Sequence, residues 1–362
     1  MIKTHIPVNQ NLNKIELMGK YKNILITGGA GFIGGALIRK LLRESKCLIN
    51  NLDNLTYSSD LSSINSLIKS LGSNTSERYK FFKGDISNKA TVDNIIQNTK
   101  PEIIIHLAAE THVDKSIKSP EKFITSNVVG TFQLLQTSLA YFENASIEIK
   151  NKFKFIHVST DEVFGTLKNE GYFNENSKYN PRSPYSASKA SSDHLVKAWF
   201  HTYGLPCIIT NCSNNYGPWQ HPEKLIPNTL LKALVNENIP IYGNGENIRD
   251  WLYVDDHIDA ILLAAEKGIP GKNYCIGGNN EKTNLDVVIR ICQYLDTHIP
   301  KSHSYTSLIK FVKDRPGHDF RYAIDSSLIK KDLNWIPKHS FENGLEKTIN
   351  WYIKNTDWLK NF

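Results

Sequence analysis

The chain has 362 residues, 40% of them hydrophobic, and carries 43 Lys and Arg against 36 Asp and Glu, a net charge of +7. That length buries a large core and favours two lobes around a cleft. The basic residues are scattered with no basic run interleaved with aromatics, which argues against a nucleic-acid partner, and no apolar run is long enough to span a bilayer.

Residues 1–20 are polar, with Asn9, Gln10, Asn11 and Asn13, and lack the apolar core of a signal peptide, so they are expected to form a leader. Five short apolar runs then recur at intervals: Ile24-Leu25-Ile26, Cys47-Leu48-Ile49, residues 79–82, residues 103–107 and residues 153–158. Continuous rather than alternating apolarity predicts strands buried on both faces of a parallel sheet. Between them Phe32, Ile33, Ala36, Leu37 and Leu41 recur at helical spacing, as do Val92, Ile95 and Ile96, and residues 123–141 and 185–203 read as long helices. Strand-helix alternation predicts an α/β fold, a doubly wound parallel sheet of the Rossmann kind over residues 21–210.

Beyond Cys207 the rhythm changes, with turn clusters at Asn214-Asn215-Tyr216-Gly217-Pro218, at Gly243-Asn244-Gly245 and at residues 314–318. Residues 211–247 and 268–355 are therefore expected to form a smaller α+β substrate-binding lobe. Residues 248–267, with Val254, Ile258, Ile261, Leu262 and Ala265 at helical spacing, are expected to return to the first lobe. The cysteines, Cys47, Cys207, Cys212, Cys275 and Cys292, make no Cys-x-x-Cys, and the histidines make no metal-binding spacing. No metal is expected, and reduced thiols in the cytoplasm are the simplest reading.

Strand one runs into Thr27-Gly28-Gly29-Ala30-Gly31-Phe32-Ile33-Gly34 and a helix follows at once. Absent side chains at such a turn let the backbone and the positive helix N-terminus approach a pyrophosphate. Nineteen residues past Gly34, Asp53 ends strand two. A carboxylate there accepts hydrogen bonds from ribose hydroxyls and repels a 2′-phosphate, so the expected cofactor is NAD. Two further strand ends, Asp85-Ile86 and Leu107-Ala108-Ala109-Glu110-Thr111, are expected in the same cleft, with Asp85 placed to accept from the adenine amino group.

Two stretches carry the chemistry. Tyr185 and Lys189 stand four residues apart on one helix face, where the ammonium is expected to lower the phenol pKa and make Tyr185 a base for hydride transfer. Spacing alone is weak evidence, since Tyr79 and Lys83 repeat it on a segment that reads as a strand. The second stretch, Ser159-Thr160-Asp161-Glu162, ends strand five and supplies an adjacent acid and base, the requirement for expelling a hydroxyl while removing a proton from the neighbouring carbon.

These motifs, together with residues 211–218, Pro222-Glu223-Lys224-Leu225-Ile226-Pro227, Arg249-Asp250-Trp251 and residues 314–318, resemble the extended short-chain dehydrogenase/reductases that act on nucleotide sugars, and within them the dTDP-glucose 4,6-dehydratase family. The likeness covers nearly the whole chain from Lys22 to about Trp351. It implies that NAD is held by Gly28, Gly31, Phe32, Ile33 and Gly34, by Asp53, Asn54, Leu55 and Thr56, and by Asp85 and Ile86. Leu107, Ala108, Ala109, Thr111 and Ser126, then Tyr185, Lys189 and Asn215, complete that set.

The resemblance further implies that Tyr185 takes the C4 hydroxyl proton, Thr160 hydrogen-bonds that oxygen, Lys189 holds the nicotinamide ribose, Glu162 takes the C5 proton and Asp161 protonates the departing C6 hydroxyl. Substrate contacts are implied for Thr111, Thr160, Asn214, Lys224 and Leu225, for Pro240, Tyr242, Arg249 and Asn284, and for Asp314, Arg315, Pro316, Gly317 and His318. It also implies a homodimer paired through helices 123–141 and 185–203. Related 4-epimerases lack the Asp-Glu pair, and a non-catalytic NAD-binding regulatory protein would have no use for Tyr185 and Lys189. UDP-glucose stays open beside dTDP-glucose, because one methyl on the base is worth only about 1–3 kcal/mol in an apolar pocket.

Overall fold

The computed structural model describes residues 18–360. Twelve strands lie in it: β1 (Asn23–Thr27), β2 (Leu48–Asp53), β3 (Tyr79–Lys83), β4 (Ile103–His106), β5 (Lys154–Thr160), β6 (Cys207–Cys212), β7 (Asn214–Tyr216), β8 (Ile239–Tyr242), β9 (Ile248–Tyr253), β10 (Asn273–Ile276), β11 (Glu281–Thr283) and β12 (Ile309–Val312). Seven form one sheet in the order β10-β6-β5-β4-β1-β2-β3, every pair parallel. Four of the five apolar runs seen in the sequence are interior strands, with Ile24, Leu25, Ile26, Ile103, Ile104 and Ile105 fully buried because helices cover both faces, whereas residues 79–82, expected to be buried on both faces, are β3 at the sheet's edge and only half-buried or exposed. Strand order reverses between β1 and β4, and the crevice at their carboxyl ends is where such sheets take ligands.

The second lobe holds the sheet β11-β9-β7 and the pair β12-β8. Helices Leu225–Leu234, Asn284–His298 and Phe341–Lys354 bury a separate core there around Tyr216, Leu230, Ile291 and Phe341.

The division of the chain differs from the sequence reading at three places. Residues 248–253 are β9 of the small sheet, and only helix Val254–Lys267 packs Ile258, Ile261, Leu262 and Ala265 against the large one. Strand β10, read as part of the substrate lobe, pairs with β6, and Ile329, Leu333 and Trp335 also join the first core. Burial of Tyr274, Cys275 and Ile276 is the driving term, and four residues are too short to announce it. The polar leader lies at residues 1–17 outside the described residues, but Met18, assigned to it, is 0% exposed in the first core.

The stretch read as one helix over 123–141 is Pro120–Phe123, a π-helical turn Ile124–Val129 and helix Gly130–Asn144. The wider turn brings the buried Asn127 side chain to the backbone of Glu110 and to Ser188 Oγ at 2.8 Å, tying the end of β4 to helix Pro184–Tyr203. Among the described residues no helix is long and apolar enough to cross a membrane, and no group of three or more His, Cys, Asp or Glu is placed to hold a metal ion.

Candidate active site

A cleft of about 1060 Å³ runs along the carboxyl ends of β1, β2, β4 and β5. At one end lies the glycine turn. Gly28 has φ +75°, and a Cβ on it would stand 2.6 Å from the Ala108 nitrogen, while a Cβ on Gly34 would strike the Gly28 carbonyl oxygen. Helix Phe32–Glu44 starts from Gly31 with no side-chain cap, so its first N–H groups face the cleft unblocked. Asp53, 7% exposed, closes this end: one oxygen accepts from the Ala30 N–H at 3.0 Å, the other from the Leu55 N–H at 2.8 Å and the Ser59 hydroxyl at 3.1 Å. A cradle that tolerates no side chain, facing a helix N-terminus and a carboxylate, fits a dinucleotide.

Around it lie Phe32 and Ile33, Asn54 and Thr56, Asp85 and Ile86, and Leu107, Ala108 and Ala109. Asp85 accepts from Ser87 and, at 3.1 Å, from the Asn54 amide. Ser126 from the π-helical turn and Asn215 also line the wall, and Asn215 Oδ1 is 2.8 Å from His257 Nδ1. Leu55 does not line it and contributes its backbone N–H to Asp53 instead.

At the other end, β5 delivers Thr160 and a short 3-10 turn, Asp161–Phe164, turns the two acids inward. Thr160 Oγ1 accepts from the Glu162 N–H at 3.3 Å and donates to Asp161 Oδ1 at 3.2 Å. Asp161 is 1% exposed, and burial, then the neighbouring Glu162 and Asp250, hold its carboxyl well above the usual range, against the pull of Arg249. Burial raises Glu162 too, but Arg315, Arg249 and Lys224 oppose it. Two adjacent carboxyls are thus pushed unequally: Asp161 is held toward its protonated form, while three cations oppose the same push on Glu162.

Tyr185 enters on the first turn of helix Pro184–Tyr203, fixed by a capping box between Ser183 and Ser186. It is 7% exposed, and Lys189, one turn on, is 4% exposed. The lowered phenol pKa expected from their spacing is not what the structure shows. Burial and then Glu162 hold Tyr185 well above its ordinary value, with the Thr160 hydroxyl pulling the other way, and the Lys189 ammonium donates to the Val158 carbonyl at 3.0 Å. Desolvation outweighs a charge one turn away.

Of the residues assigned to substrate, Thr111, Asn214 and Lys224 line the same cleft, with Lys224 Nζ donating to the Thr111 carbonyl at 3.2 Å. Leu225, Pro240, Tyr242, Arg249, Asn284 and residues 314–318 lie outside its wall. Arg249 is 4% exposed because its guanidinium is spent on the Ile248, Asp319 and Phe320 carbonyls and lies 4.4 Å over the Tyr322 ring. Tyr242 donates to Asp114 at 3.3 Å, and His318 Nδ1 is 2.7 Å from Asp314. Gly317 has φ +67°, where a Cβ would stand 3.0 Å from the Arg182 carbonyl oxygen, and the Asn284 N–H donates to the Asn247 carbonyl. Pro240 is exposed on β8, whereas Leu225 opens helix Leu225–Leu234 beside Lys224.

Sequence reasoning passed over the cleft rim. Tyr57 donates to Glu223 Oε1 at 3.2 Å, and Lys115 lies 2.9 Å from the Tyr57 ring centre and 3.6 Å from Glu223 Oε2. His112 is also 3.6 Å from that oxygen. Glu223 sat inside a quoted motif, but 166 residues separate it from Tyr57, and no local spacing connects them.

A doubly wound parallel sheet with this glycine cradle, a carboxylate ending β2 and a Tyr/Lys helix beside the crevice defines a nicotinamide-dependent enzyme of the short-chain dehydrogenase/reductase class. The sequence model of the family described as GDP-mannose 4,6 dehydratase matches residues 25–348. A dTDP-glucose 4,6-dehydratase of Salmonella typhimurium is 49% identical, covering 93% of this chain and 94% of its own. Among solved structures, the dTDP-glucose 4,6-dehydratase of Bacillus anthracis in complex with NAD superposes with a TM-score of 0.81 at 41% identity, over 94% of this chain and 99% of that one. The Streptomyces venezuelae dTDP-glucose 4,6-dehydratase with NAD and TYD bound gives 0.83 at 38%, over 92% and 98%. The chain belongs to the dTDP-glucose 4,6-dehydratases, within the wider family that the GDP-mannose 4,6 dehydratase model describes.

Proposed function

We propose that this protein is an NAD-dependent hydro-lyase that converts dTDP-glucose into its 4-keto-6-deoxyglucose nucleotide and water. The observation that carries the reading is the adjacent Asp161 and Glu162, unequally raised, in one cleft with Tyr185 and Lys189. NAD, held by the glycine turn, Asp53 and Lys189, supplies the hydride acceptor for C4 and, once reduced, the donor for C6. Tyr185 takes the proton of the C4 hydroxyl while Thr160 holds that oxygen. The new ketone acidifies C5, whose proton Glu162 removes. Asp161, buried and protonated, gives its proton to the C6 hydroxyl, which leaves as water. The hydride taken from C4 returns to C6 as Glu162 gives its proton back to C5, and the proton gained by Tyr185 matches the one lost by Asp161, so no outside redox partner is needed.

Lys224 at the cleft wall and Arg315 beyond it supply charge suited to the diphosphate, and the second-lobe residues named above are read as the sugar-nucleotide face. A homodimer through the helical stretches 120–144 and 184–203 is part of the same reading: Ile124, Val129, Phe132 and Tyr203 are 47%, 39%, 37% and 51% exposed there, large apolar groups that pairing would cover. The buried thiols of Cys207, Cys212, Cys275 and Cys292 support a cytoplasmic setting.

The test is to incubate the purified protein separately with dTDP-glucose and UDP-glucose and to read the products by mass and NMR. Loss of one water with a 4-keto signal, faster from dTDP-glucose, is the expected result. An unchanged mass with inversion at C4 makes the protein an epimerase, and a monomeric mass in solution removes the dimer.

A further inference from the structure

Beneath the Tyr185/Lys189 pair lies a buried carboxylate that the reaction scheme does not use. Asp193 follows Lys189 by one helical turn on the same face of helix Pro184–Tyr203 and is 0% exposed. Its Oδ2 accepts from Ser159 Oγ at 2.9 Å, Tyr179 OH at 2.9 Å and Asn211 Nδ2 at 3.2 Å. Nε2 of His157 lies 3.1 Å from Oδ1. Asn211 donates in addition to the Thr160 carbonyl at 2.9 Å, so one carboxylate ties the helix of Tyr185 to the strand of Thr160.

Burying a carboxylate this deeply is costly unless it is hydrogen-bonded and faces a cation. The groups around it leave one cation for that part. His157 on β5 is depressed to about 4 by burial and by Lys189, and His106 on β4 is held well below its usual range by burial, His157 and Lys189. Both rings are therefore neutral near pH 7. Cys212 on β6 is a thiol pushed up by burial, and Tyr179 is a phenol pushed up likewise. Lys197, one turn beyond, sits on Tyr179, with its Nζ 3.5 Å from the hydroxyl and 4.5 Å from the ring centre. What remains is Lys189, itself lowered by burial and supported chiefly by the charge of Asp193.

We infer that Asp193 is a positioning residue for the reaction: its buried negative charge keeps the Lys189 ammonium protonated beside Tyr185. The phenol works best as a base when the ammonium below it is charged, and a neutral lysine gives it no help. The inference rests on the dehydratase reading, but product analysis of the unaltered protein decides that reading independently of position 193.

The experiment is the pH profile of kcat for the NAD-loaded enzyme and for Asp193→Asn, with bound NAD per chain and thermal melting measured alongside. Without the charge, Lys189 loses its proton at lower pH, so the alkaline limb of the bell moves down, while the acidic limb, where the ammonium is protonated in either protein, stays in place. A displacement of the alkaline limb by about one pH unit, or about tenfold in kcat at a pH on that limb, is expected. Asp193→Glu keeps the charge and should restore the width of the bell even if its height falls. A uniform loss of kcat with both limbs in place marks a purely structural tie and overturns the inference, as does a bell that narrows equally in Asp193→Glu. If Asp193→Asn does not fold with NAD, the double variant Ser159→Ala/Tyr179→Phe carries the test. It loosens the tie but leaves the carboxylate charged at alkaline pH, so thermal stability falls while the alkaline limb stays in place. An alkaline limb that moves down in this variant makes the tie rather than the charge responsible and overturns the inference.

Discussion

Replacing Gly28 by alanine should cost this protein its cofactor. The residue has φ +75°, where an L side chain pays about 1–2 kcal/mol. The added methyl would also stand 2.6 Å from Ala108 N, 2.7 Å from Ala108 Cα and 2.8 Å from the Leu107 carbonyl carbon. All three are backbone atoms at the end of β4 and cannot swing aside. Ordinary contact begins near 3.5 Å, so the turn and β4 must part by about 1 Å, at the strand reversal where the cleft opens. Crowding of this kind costs about 1–3 kcal/mol, and a misplacement of about 1 Å at a site lowers turnover by about 10²-fold. The assay is NAD retained per chain after purification, with thermal melting in the presence and absence of added NAD. Gly31→Ala is the comparison, since a Cβ there meets only the Gly28 oxygen, at 3.3 Å: it should weaken NAD retention while leaving melting without cofactor near the unaltered value. If Gly28→Ala retains a full complement of NAD and melts normally, the close approach is not what holds the cofactor.

Three further outcomes follow from the same geometry. Glu162→Gln should stop elimination yet still build up reduced nicotinamide absorbance on adding substrate; normal dehydration by this variant would remove Glu162 as the base. Tyr185→Phe should slow that absorbance change by about 10²–10⁴-fold, and an unchanged rate would assign the C4 proton to another group. His257, 0% exposed against Asn215, has its folded pKa depressed to about 3 by burial. Its stabilising contribution is present above the unfolded value of about 6.5 and is lost as pH falls through about 3, on the order of 5 kcal/mol in all. Melting temperature should therefore drop steeply on acidification, and His257→Gln should flatten that slope; parallel curves for the two proteins would refute it.

Local chemistry is what made so much of the cleft readable from the chain. Gly28, Gly31, Gly34 and Asp53 are bound to one another by a single turn and two strands, and the same demand for absent side chains is visible as spacing. Tyr185 and Lys189 share a helix face, while Asp161 and Glu162 are neighbours, so their proximity needs no fold to establish it. Folding decided what depends on distant segments or on exclusion of water. It placed four-residue β10 at the edge of the large sheet, set Glu223 against Tyr57, and inserted the π-helical turn that lets Asn127 hold Glu110. It also reversed the expected direction for Tyr185, because a spacing of four residues specifies which charge is near but not how thoroughly the phenol is buried. Connectivity along a helix or turn is written in residue order, whereas desolvation and the counter-charge of Asp193 exist only once β5, β6 and helix Pro184–Tyr203 have closed over them.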